Sequence, residues 1–89
     1  MKVRASRGVE VLFKLEGPNP ASQADDRERT ASYSGGGGWQ SLCFDFTGDT
    51  AGLTSRAITF IFDNGVNGAA ATDPNNWTFY FDDIEQAAD

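Results

Sequence analysis

The polar and apolar positions of this chain alternate. In Val9-Glu-Val-Leu-Phe-Lys-Leu-Glu16 the apolar residues Val9, Val11, Phe13 and Leu15 fall on odd positions and the charged ones on even positions. That is the period of a strand with one buried face. Met1, Val3 and Ala5 alternate with Lys2, Arg4 and Ser6 in the same way, and Arg7-Gly8 between the two runs predicts a hairpin. Gly17-Pro-Asn-Pro20 stops the second strand, because proline donates no ladder hydrogen bond. Residues 21–29 are polar and predict an exposed loop with at most one helical turn. Residues 30–34 predict a short edge strand.

Further strands are expected at residues 39–46, with Leu42, Phe44 and Phe46 on one face, and at 57–63, with Ile58, Phe60 and Phe62 on one face. A last strand is expected at 77–84, with Trp77, Phe79 and Phe81 inward and Tyr80 outward. There Asp82 and Asp83 shift the phase through a bulge that returns Ile84 to the core. Asn64-Gly65 predicts a hairpin turn extended into a loop as far as Pro74. No segment carries a helical apolar period. The expected fold is an all-β antiparallel β-sandwich of about six strands, one domain over residues 1–86 with 87–89 as a tail. In 89 residues with 39% hydrophobic and 12% aromatic content, the core is thin and made largely of rings.

Charge changes what such a sandwich can contact. The net charge is −6, and residues 30–89 hold Arg56 alone against eight acids. A nucleic-acid partner wants a basic stripe, so none is expected. No run of eighteen apolar residues is present, so membrane insertion is not expected either. The chain has no histidine, which excludes Ser-His-Asp and Cys-His catalysis and most zinc sites. Its one cysteine, Cys43, forms no disulfide within the chain and is expected to be a small packing residue. The glycine run Gly35–Gly38 lacks the Lys and Ser/Thr of a phosphate loop and is expected to be a hairpin connection. Met1–Arg7 has no apolar stretch of the signal-peptide kind.

Val11-Leu-Phe-Lys-Leu-Glu16, Trp39-Gln-Ser-Leu-Cys-Phe-Asp-Phe-Thr-Gly48, Ile58-Thr-Phe-Ile-Phe-Asp63 and Tyr80-Phe-Asp-Asp-Ile84 occur here in order. This ordered series resembles the jelly-roll β-sandwich modules of the galactose-binding-like superfamily. Those modules are carbohydrate-binding and appended to secreted bacterial polysaccharide-degrading or surface proteins. The resemblance covers roughly residues 1–86 and implies an extracellular or cell-surface location and a neutral or acidic polysaccharide as partner. Members run longer, with strands ahead of the one that holds Val3. Against that pattern this chain begins in mid-domain, with an open sheet edge. Exposed edges invite pairing, and outward-facing Leu12, Ile61 and Tyr80 would add apolar area. Homo-oligomerisation through strand edges is the corresponding expectation.

Sugars are held by aromatic faces against pyranose C–H surfaces, with carboxylates, amides and cations bonding the hydroxyls. The candidate ligand-binding residues are the outward strand groups Lys14, Glu16, Asp45, Asp63 and Tyr80, with loop aromatics Tyr33 and Trp77. Trp39 and Trp77 each also fit a ring closing one end of the core. Charged strand positions also fit plain solvated surface. In the resembling modules an acid of the last strand helps hold a structural calcium, which makes Asp82 and Asp83 the metal candidates. Turn-capping acids at a bulge explain them as well, and no other cofactor is implied. Catalysis is not expected, since a domain this small has no deep cleft in which to raise a carboxylate pKa. A structural or oligomerising sandwich without a ligand is the alternative function.

Overall fold

The computed structural model describes residues 1–49, 54–64 and 73–86. Its six strands are β1 (Lys2–Ala5), β2 (Val9–Glu16), β3 (Arg27–Tyr33), β4 (Gln40–Ser41), β5 (Ala57–Phe62) and β6 (Phe79–Asp82). They form two three-stranded antiparallel sheets, ordered β4-β1-β6 and β3-β2-β5. The all-β antiparallel class is as expected. A 3-10 turn, Pro74–Trp77, precedes β6 and is capped by Asp73, whose side chain accepts from the Asn75 N–H.

β1 and β2 do not form the expected hairpin. Each is the middle strand of a different sheet, and Ser6–Gly8 carries the chain across the sandwich. The corner is held by hydrogen bonds from distant residues. Ser6 Oγ donates to the Asn75 carbonyl (2.8 Å) and Arg7 Nε to the Asn76 carbonyl (2.8 Å), while the Arg7 guanidinium also pairs with Asp63. A strand pairs with whichever neighbour satisfies its ladder while burying its apolar face. For β1 those neighbours are β4 and β6.

Val3, Ala5, Val9, Val11, Tyr33 and Leu42 form the buried cluster, with Phe44, Phe62 and Phe79 packed against it. Phe13 contacts Phe44, Phe46 and Phe60 at centroid separations of 5.1, 5.8 and 4.8 Å. Phe62 stacks on Phe79 at 4.9 Å, joining β5 to β6 across the sheets. Rings supply much of the core, since each buries a large area and pairs at these separations add to it. Tyr33, expected among the exposed ligand-binding aromatics, is buried on β3. Its hydroxyl donates to the Gly38 carbonyl (2.7 Å), with the Ala5 carbonyl of the opposite sheet at 3.3 Å.

Several local expectations are corrected. β3 starts at Arg27, inside the expected loop, because Arg27 and Arg29 occupy its inward positions. Their guanidinium groups pair with Asp49, and that of Arg29 lies 5.0 Å from the Phe46 ring centroid. Of the strand expected at 39–46 only Gln40–Ser41 is regular, although Leu42, Phe44 and Phe46 still turn toward the core. Cys43 is exposed and does not pack. Leu12 is buried on the outer face beneath its neighbours Thr30 and Ile61, so it offers no free apolar area. Trp77 belongs to the 3-10 turn, and β6 ends at Asp82. Asp83 follows with φ 53°, a left-handed conformation that Asp tolerates, and Ile84 is exposed rather than returned to the core. Gly65 of the turn expected at Asn64-Gly65, most of the loop that follows, and the 87–89 tail lie outside the described residues.

Candidate functional site

The outer face of the β4-β1-β6 sheet is built by the alternation of β1. Val3 and Ala5 are buried, so Lys2 and Arg4 fall on the outer face, Lys2 exposed and Arg4 half-buried. In the β1–β6 register Arg4 stands opposite Tyr80 and Lys2 opposite Asp82. On the other flank Lys2 is opposite Ser41. Extending that register by one residue brings Trp39 beside Arg4. Three neighbouring positions thus set Trp39, Arg4 and Tyr80 abreast. The Arg4 guanidinium lies 5.4 Å from the Trp39 ring centroid and 4.7 Å from that of Tyr80. Trp39 is 50% exposed and Tyr80 49%. A cation held between two rings fixes their positions through the ring quadrupoles, and both residues stay half-exposed.

The glycine run explains why Trp39 is here and not in the core. Gly35, Gly36 and Gly37 all have positive φ, a path that residues with a Cβ rarely follow. The path is secured by Gln40, whose side-chain oxygen accepts from the Ser34 N–H and hydroxyl (2.9 Å each). Directly beside this platform Lys2 Nζ lies 3.1 Å from Asp83, and Asp82 accepts from the Asp83 N–H at 2.8 Å. Among the described residues no third metal-ligating side chain joins these two acids.

Of the expected ligand-binding residues, Tyr80 alone lies on the platform. Trp77 sits nearby at the end of the sandwich, with the Arg7 guanidinium 4.7 Å from its ring centroid. Tyr33 is enclosed in the core. Lys14 and Glu16 are on the outer face of the other sheet, paired with Asp26 (3.4 Å) and Arg56 (3.6 Å). Asp63 is engaged by Arg7, whose guanidinium is held above its ordinary pKa chiefly by that hydrogen bond. Asp45 accepts from the Thr47 N–H at 2.9 Å; Thr47, through side chain and backbone, holds its carboxyl below the usual range. Asp26 and Asp49 are likewise lowered, Asp26 chiefly by the Gly17 N–H and Asp49 chiefly by Arg29. These groups are spread over separate surfaces and do not converge.

Sequence reasoning missed Arg4 and placed Trp39 at the end of the core. The signal for Arg4 was its place on the polar face of β1; its neighbours come from strands far away in sequence. A second surface feature is an open groove of about 1410 Å³ between residues 42–47 and 83–86, with Phe13, Leu15, Phe44 and Ile58 in its walls. No protein-family model, no curated protein and no solved structure matches this chain.

Proposed function

We propose that this domain is a non-catalytic carbohydrate-binding module for a neutral or acidic polysaccharide, acting at a cell surface or outside the cell. The observation that carries this reading is the pair of half-exposed rings, Trp39 and Tyr80, on either side of Arg4 on a sheet face. Their ring faces suit pyranose C–H surfaces, while Arg4, Lys2, Ser41 and Asp82 beside them suit sugar hydroxyls. The resemblance of the strand series to galactose-binding-like modules supports the same function.

The test is affinity electrophoresis through gels containing β-glucans, alginate or agar, with tryptophan fluorescence as a second readout. The domain is expected to be retarded by at least one polymer, and Trp39→Ala and Tyr80→Ala each to abolish the retardation. No retardation by any polymer would overturn the reading. Among the described residues the outer edges of β5 and β6 have no strand partner, which favours a second role, self-association. They lie on the same side of the sandwich, where Ile58 and Phe81 are 47% and 50% exposed. Light scattering after size exclusion is expected to show a dimer, and a 9.6 kDa monomer at high concentration would refute it.

A further inference from the structure

The chain has seven lysines and arginines against thirteen acids, so cations are scarce and carboxylates are not. Lys2, Arg7, Lys14, Arg27, Arg29 and Arg56 each pair with a carboxylate. Among the described residues no carboxylate pairs with Arg4, which lies between the two half-exposed rings of the platform. A guanidinium is a planar fork of donors matched to a carboxylate. In a protein so rich in acids, the one left without such a partner stands where a ligand would be received.

From this we infer that Arg4 receives the carboxylate of a hexuronate, so that the preferred ligand is a uronic-acid polysaccharide. The inference rests on the carbohydrate-binding reading above. The two ring centroids can be no more than about 10 Å apart, the two guanidinium distances taken end to end, and two intervals of strand spacing give nearly the same span. Sugar rings on either side of the guanidinium can therefore contact Trp39 and Tyr80 while a uronate carboxylate reaches Arg4. The nearest acids leave this possible. Asp83 is neutralised by Lys2 at 3.1 Å, and Asp82 stands one row away, opposite Lys2. The repulsion from the net charge of −6 acts at longer range and is screened beyond roughly 8 Å at physiological salt.

Matched polymers separate the carboxylate from the rest of the sugar. Polymannuronate, polyglucuronate and polygalacturonate are each compared with their carboxyl-reduced forms, which keep the linkage and lose the charge. Calorimetry is expected to show at least one uronan bound ten times or more tighter than its reduced form. Arg4→Gln is expected to weaken binding of the uronan by a larger factor than binding of its reduced form, so that the difference between the two is erased, and Arg4→Lys to restore part of that difference. Circular dichroism and the thermal midpoint of each variant report that the fold is kept. If both forms bind equally and Trp39→Ala abolishes both, the carboxylate inference fails and the carbohydrate reading stands. If none of these polymers binds while a β-glucan or agar retards the domain, the carboxylate inference alone fails; if no polymer of either set binds, both fail.

Discussion

Removing one oxygen atom from Tyr33 tests how the two sheets are held together. The Tyr33 side chain is 2% exposed, and its hydroxyl reaches the carbonyls of Gly38 and, in the opposite sheet, Ala5. Tyr33→Phe keeps the ring and its packing but leaves the Gly38 carbonyl without this donor, which costs about 1–2 kcal/mol. Unfolding entropy of about 2.1 cal/mol/K per residue over 89 residues gives ~0.19 kcal/mol/K, so the thermal midpoint should fall by about 5–10 °C. In urea the midpoint should drop with an unchanged slope, since the surface exposed on unfolding hardly changes. Tryptophan fluorescence and far-UV circular dichroism should give the same transition. Because Tyr33 is enclosed, polysaccharide affinity should be unaltered. A loss below about 0.3 kcal/mol would refute the role given to the hydroxyl. An altered slope would show that the native or denatured state itself had changed.

Acid should destabilise the domain in a defined window. The folded-state pKa values of Asp26, Asp45 and Asp49 lie below their ordinary 3.8. Their contribution is therefore complete above that value and lost as pH falls through the lowered ones. Chemical denaturation between pH 7 and 2 should show little loss from these groups above about pH 5 and a steep loss below about pH 4. Stability that stays level to pH 2 would contradict the pairings of Asp26 and Asp49. Gly17→Ala should cost about 1–3 kcal/mol, because the new Cβ would lie 2.6 Å from the Asp25 Cβ and disturb the Asp26 carboxylate that Gly17 N–H holds. Gly38→Ala, which adds a Cβ to open space at an ordinary φ, should change stability by less than about 0.5 kcal/mol, read by urea denaturation.

The strand character of β2 and β5 was legible because each carries an unbroken apolar residue at every second position, even though Leu12 and Ile61 add apolar residues to the other face. The second half of β3 was legible as the edge strand it is, but its first half was hidden because two of its inward positions are arginines. Both guanidinium groups meet Asp49 and that of Arg29 also lies over the Phe46 ring, an arrangement that composition alone presents as a polar loop. The separation of β1 from β2 was not legible either. Alternation states which residues of a strand face inward but not which strand lies beside it. Here the corner depends on Asn75, Asn76 and Asp63, remote in sequence from Ser6 and Arg7. The candidate site was half legible for the same reason. Tyr80 is outward by period, but its company with Arg4 and Trp39 is a property of the register between distant strands.

That register also sets an order of events during synthesis. Of the six strands β1 is made before the others and its longer partner, β6, after them, with Lys2 finally opposite Asp82. Until then its other flank can count only on the two residues of β4. The opposite sheet can close earlier, because β3 and β5 both reach β2 before β6 has been translated. The nascent chain therefore carries β1 without this partner until the other strands have been made. The basic side chains of Lys2 and Arg4, which no apolar neighbour would welcome, protect that strand from pairing with the wrong partner.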